Sequence, residues 1–92
     1  MTFRKHWISG KVVSSEGYSV KPVGGTTLLY QDENNCLYVG ADRLGPNSWA
    51  IFAEDMRKGS EHGRQLHDDR LRALVVERIR EVMEFLGGSL EM

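Results

Sequence analysis

LRALVVERIREVMEFL, residues 71–86, is the stretch on which the fold turns. Leu71, Leu74, Val75, Ile79, Val82, Met83 and Leu86 recur at three- and four-residue steps, which lines one side of a helix, while Arg72, Glu77, Arg80, Glu81 and Glu84 fall largely opposite. The spacing predicts an amphipathic helix. Asp68 or Asp69 stands where a side chain can cap the first turn and meet its positive dipole end, and Gly87-Gly88 offers the left-handed residue that commonly stops a helix. Glu81 and Glu84 oppose the dipole near the C-terminus, an effect of a few tenths of a kcal/mol at exposed sites. Seven apolar side chains at roughly 1.5 to 3 kcal/mol each outweigh it. Past the glycines, residues 89–92 are long enough to add a short strand at a sheet edge.

Upstream of the helix the period changes to two. Short apolar or β-branched runs separated by turn residues predict strands over residues 6–13, 18–22, 26–31, 36–40 and 48–52. Gly24-Gly25, the polar run Asp32-Glu33-Asn34-Asn35 and Gly45-Pro46-Asn47 supply the turns between them. Leu37 and Val39 should share one face with Cys36 and Tyr38 opposite, and Trp49 with Ile51 should alternate against Ala50 with Phe52. The expected architecture is α+β: an antiparallel meander of about five strands packed on one C-terminal helix, with a possible final edge strand. No repeat or linker divides residues 1–92, so a single domain is expected.

At 92 residues, 40% of them hydrophobic and 27% charged, the composition is that of a folding chain with room for one core. A formal net charge of -1 gives no field that would draw in nucleic acid or an acidic membrane surface. The charge is uneven, however. Residues 1–23 carry Arg4, Lys5, Lys11 and Lys21 against Glu16, whereas residues 24–69 carry Asp32, Glu33, Asp42, Glu54, Asp55, Glu61, Asp68 and Asp69 against four basic residues. The single cysteine, Cys36, excludes an internal disulfide framework, and no apolar run approaches the ~20 residues of a membrane-spanning helix. The first ten residues lack the apolar run of a signal peptide. A cytoplasmic location is the expectation.

Residues that might carry chemistry are few and scattered. Cys36 with His6, His62 or His67 is the nearest approach to a nucleophile and base, but nothing basic flanks the cysteine, which favours a small half-buried side chain. His62, His67, Asp68 and Asp69 include suitable zinc ligands, yet a five-residue step places the two rings on different faces of a helix, and no second ligand pair exists. Glu54 and Asp55 are adjacent, so an extended backbone points them apart and disfavours paired acid and base work. Gly24-Gly25-Thr26-Thr27 lacks the downstream glycine and lysine of a phosphate loop. No enzyme, metal or cofactor is expected. Arg4, Lys5, His6, Trp7, Lys11 and Tyr18 mix cations with rings, and the alternative reading is a small regulatory or nucleic-acid-binding module that uses this basic N-terminal strand. The polar segment 56–66, MRKGSEHGRQL, is long enough for a contact loop.

From residue 24 to residue 90 the chain resembles the immunity protein 74 family of bacterial polymorphic toxin systems. The likeness rests on the order and spacing of LYQD (29–32), LYVGADRL (37–44), WAIFAEDM (49–56) and RI (78–79) through FLGGSLE (85–91). Lys58-Gly59 stands where the family pattern has a tryptophan, and Asp42-Arg43-Leu44 where it has an acidic residue, usually glutamate, directly before the leucine. The resemblance implies an α+β protein that neutralises a cognate protein toxin by binding it, with no catalysis of its own. It carries no binding residues across. Charge alone nominates Asp32, Glu33, Asp42, Glu54 and Asp55 as the partner-binding surface, suited to a cationic toxin such as a nuclease.

Overall fold

A computed structural model describes residues 2–6 and 9–91. It consists of β1 (Phe3–Lys5), β2 (Val12–Ser14), β3 (Tyr18–Val23), β4 (Thr27–Asp32), β5 (Cys36–Gly45), β6 (Ser48–Lys58), α1 (Asp69–Phe85) and β7 (Leu90–Glu91). The seven strands form one curled sheet in chain order, antiparallel throughout except for the parallel pair β6–β7. The α+β meander on a single C-terminal helix is therefore present, with seven strands where the periodicity predicted about five and the last of them at the edge.

Of the described residues in the first predicted strand, 6–13, only Val12 and Val13 are strand, within β2, while β1 lies ahead of it at Phe3–Lys5. His6 N–H donates to Lys11 O at 2.7 Å, Gly10 N–H donates to His6 O at 2.8 Å, and Gly10 has φ 73°. Glycine takes that conformation without the steric penalty of a Cβ, so Ser9-Gly10 reverses the chain inside an otherwise strand-like run. Trp7 and Ile8, which prompted the single-strand reading, lie outside the described residues.

The largest departure is the β5–β6 hairpin, whose strands run 10 and 11 residues. Val39 lies opposite Met56 but Ala41 lies opposite Ile51, so two steps along β5 match five along β6. This wide bulge shifts the phase: Trp49 and Ile51 are buried, and the next buried residue is Met56. The alternation thus breaks where the sequence reading ended the strand. Segment 56–66 is likewise tied down, since Lys58 N–H donates to Arg64 O, Leu66 N–H donates to Met56 O at 2.7 Å, and Arg57 bridges to Gln65. The chain doubles back as a tight hairpin and buries Leu66 to 1% exposure.

The helix packs its apolar stripe into the concave face of the sheet. Val75, Val76, Ile79, Val82 and Met83 are buried against Val12, Val20, Leu28, Leu37, Val39 and Ile51. Two stripe positions differ from expectation: Leu74 is exposed, and Val76 takes a buried place. Leu74 lies beside the β2–β3 and β4–β5 turns, at the edge of the buried face. Asp68 is the N-cap, accepting from Leu71 N–H at 3.0 Å. At the far end Gly88 N–H donates to Met83 O and Gly87 N–H to Glu84 O, with Gly87 at φ 79°, the paired bonds of a Schellman stop. A Cβ on Gly88 would collide with the Asn47 carbonyl, so the glycine also lets the β5–β6 turn close on the helix end. Among the described residues no helix is long and apolar enough to cross a membrane.

Candidate functional site

The five nominated acids do not form one patch. Asp32 and Glu33 sit at the β4–β5 turn beside Leu71, Leu74 and Arg78 of the helix, whereas Asp42, Glu54 and Asp55 belong to the β5–β6 hairpin.

Asp32 is turned inward and its side chain is 12% exposed. Its Oδ1 accepts from Asn34 N–H and Asn35 N–H, both at 2.8 Å, which closes the turn. Its Oδ2 accepts from the Tyr30 hydroxyl at 2.6 Å and lies 3.6 Å from Arg78 Nη1, which also donates to the Tyr30 oxygen at 2.6 Å. Arg78 stacks 4.6 Å above the Tyr18 ring, and the Tyr18 hydroxyl donates to Glu81 Oε2 at 3.1 Å. Two sheet tyrosines, a turn aspartate and two helix side chains thus form one connected clamp. Burial would raise the Asp32 carboxyl, but the hydrogen bonds from Tyr30, Asn34 and Asn35 hold it below its ordinary value. Burial, then donation to a carboxylate, pushes both Tyr18 and Tyr30 up to about 12. Burial opposes the charge on Arg78, yet the Tyr30 oxygen and the Asp32 charge carry its pKa above the usual arginine value. Such a network fixes how helix and sheet meet, and it removes Asp32 from the exposed surface.

The β5–β6 acids occupy open ground. Asp42 and Glu54 are exposed, and the same hairpin exposes two large apolar side chains, Leu44 at 53% and Phe52 at 49%. The bulge brings Asp55 across Gly40, where a Cβ would collide with its carboxylate and approach its Cγ to 2.9 Å. There Asp55 Oδ1 accepts from Arg57 Nε at 2.9 Å, each side chain 43% exposed. The pair forms a wall of a shallow cleft of about 400 Å³ floored by Thr27, Tyr38 and Gly40 and rimmed by Glu61 and His62 of the 59–66 hairpin. The arrangement offers charges of both signs, hydroxyls and the Tyr38 and His62 rings, which suits recognition of a polar protein surface.

Sequence reasoning missed Tyr38 and Arg57 as members of this cleft, although Tyr38 lies opposite Arg57 in the register. The available signal was Gly40 in a strand interior, which often marks a bulge or a close approach. Segment 56–66, nominated as a contact loop, does supply Glu61 and His62 to the rim. Of the other candidates, Cys36 begins β5 half-buried, with Gln31 Nε2 3.9 Å from its Sγ. His67 is exposed ahead of the helix and Asp68 is spent on the cap, while Asp69 pairs with Arg72 at 2.8 Å. Among the described residues no three His, Cys, Asp or Glu side chains converge as metal ligands. Arg4 is exposed on the edge strand β1 and Lys5 lies on its half-buried side. Comparison of the chain with protein-family models, curated proteins and solved structures gives no match.

Proposed function

We propose that this is a cytoplasmic binding protein that neutralises a cognate bacterial toxin by direct contact, as the likeness to the immunity protein 74 family implies. The observation that supports the reading is the β5–β6 hairpin, which exposes Leu44 and Phe52 beside Asp42, Glu54 and the half-exposed Asp55. Exposed large apolar side chains set among charges are what a protein interface needs: the apolar groups supply burial and the charges steer encounter. The protein contributes shape and charge, and inhibition follows from covering the toxin's working surface.

The test is co-expression with the toxin domain encoded beside this gene. A one-to-one complex is expected whose association rate falls with salt, and by about tenfold at low salt in Asp42→Lys/Glu54→Lys. Phe52→Ala should act on dissociation instead. A neighbourhood with no toxin gene, or a complex indifferent to all three substitutions, overturns the reading. Retention on a DNA column at about 0.15 M salt, lost in Arg4→Ala/Lys5→Ala, would replace it with the nucleic-acid-binding alternative.

A further inference from the structure

At the end of the molecule away from the tyrosine clamp, the concave face of the sheet and the C-terminal half of α1 do not close completely. A partly enclosed cavity of about 100 Å³ remains, walled by Val20, Leu28, Trp49, Val82 and Met83. Trp49 is 4% exposed, Val82 1% and Met83 2%, so the walls are core surface. Lys5 and Arg43 also line the cavity, and among the described residues no carboxylate does.

Arg43 is already held in place there. Its Nε donates to Gly45 O at 3.2 Å and its Nη2 to Pro46 O at 3.0 Å, with the guanidinium carbon 5.7 Å from the Trp49 ring centre. The β5–β6 turn thus fixes a planar cation over the cavity wall and leaves Nη1 directed to neither carbonyl, so little side-chain freedom remains to be lost on binding. The helix end nearby would repel an anion, but three of its last carbonyls are occupied: Leu86 O accepts from Asn47 Nδ2 at 3.1 Å, and Glu84 O and Met83 O accept from Gly87 and Gly88.

We infer that this cavity binds a short-chain aliphatic monocarboxylate, its tail against Trp49 and Val82 and its carboxylate on Arg43. At the ~30 Å³ that one water occupies in the liquid, the cavity admits about three waters or a chain of about four carbons. Val20, Leu28, Trp49, Val82 and Met83 suit a hydrocarbon tail, while the polar groups of the lining, Lys5, Arg43 and Asn47, suit a charged or hydrogen-bonding head. The size sets the tail and the anchored Arg43 guanidinium sets the head. The cavity opens on the helix side of the sheet, and Arg43 reaches it from the β5–β6 hairpin, between Asp42 and Leu44 in the chain.

The probes are pentanoate, 1-pentanol and pentylamine, titrated into the full chain and followed by amide and methyl NMR. Saturable shifts are expected at Trp49, Val82 and Met83 with pentanoate, with pentylamine at least tenfold weaker. Arg43→Gln should weaken pentanoate about tenfold while leaving pentanol unchanged, as loss of a charge-assisted contact predicts. Val82→Ile fills the cavity by one methylene and should weaken both; Val20→Ile serves if the first variant melts early. Linear shifts that never saturate, shifts spread over the surface, or equal response to amine and carboxylate each overturn the assignment. So does pentanoate binding that survives Arg43→Gln unchanged.

Discussion

Two aspartate–arginine pairs sit on opposite sides of this sheet, and the closer one does less. Arg57 and Asp55 approach to 2.9 Å on the outer face with each side chain 43% exposed; Arg78 and Asp32 are 3.6 Å apart on the helix side, at 23% and 12%. Water screens the outer pair, which places it in the range of about 0–1 kcal/mol for exposed ion pairs. The inner pair shares its atoms with Tyr30, Asn34 and Asn35, so removing one member strands several half-desolvated groups at once. Partner number and desolvation rank the two, and distance does not. On the proposed function, the outer aspartate is the one of the two exposed enough to exchange Arg57 for a partner's cation.

The greatest damage should come from Ile79→Asp, which puts a carboxylate at a fully buried helix position next to Arg78. A loss beyond about 4 kcal/mol is expected, enough to unfold a domain of this size, read as loss of the near-ultraviolet circular dichroism signal at 25 °C. Retained native signal would mean that the helix is not seated on the sheet as described. Next comes the direct comparison. Asp32→Ala should cost about 2–4 kcal/mol in urea unfolding and Asp55→Ala under about 1 kcal/mol. Equal costs would erase the distinction between the two sides.

Titration separates them further. Asp32 has its carboxyl held below the ordinary 3.8, so its contribution is present above that value and is lost as pH falls through the folded-state value. The tyrosines act at the other end: raised from 10.0 to about 12, their contribution is complete below pH 10 and lost as pH climbs toward 12. Stability should therefore fall on both limbs, with Asp32→Asn flattening the acid limb and Tyr18→Phe making the alkaline one shallower, Tyr30 supplying what remains. Urea midpoints measured from pH 2 to 5 and from pH 9 to 12 check this. Parallel limbs in variant and parent would dissociate the clamp from the pH response.

Legibility followed the same divide. The inner layer could be read because burial imposes a period: the helix stripe, its Asp68 cap, its glycine stop and the Leu37/Val39 and Trp49/Ile51 alternation all lie where the pattern puts them. Leu74 and Val76 exchanged roles because the stripe's width depends on how far the sheet wraps, which is a tertiary matter. Asp32 looked like one more surface acid, since its partner Arg78 stands 46 positions away in the chain and no local rule joins them. The bulge at residues 52–55 was invisible for a related reason. Period-two reasoning ends a strand when the phase breaks, whereas the backbone continued through the break and created the outer cleft.

The smallest expected effect tests that cleft. Gly40→Ala in a strand interior would ordinarily stabilise by about 0.5–1 kcal/mol, because glycine loses more backbone freedom on folding. Here the new methyl would strike the Asp55 carboxylate, which must swing off Arg57. The gain and the loss should nearly cancel, leaving the single variant close to the parent. In an Asp55→Ala background only the Cβ at that position remains, 3.2 Å from the new methyl, so the same substitution should recover most of the ordinary gain. A double-mutant cycle in urea should therefore give a coupling of about 0.5–1 kcal/mol. Additivity within about 0.3 kcal/mol would show that Asp55 does not lie across Gly40 in solution, and the outer face would then have no wall between Tyr38 and the bulge.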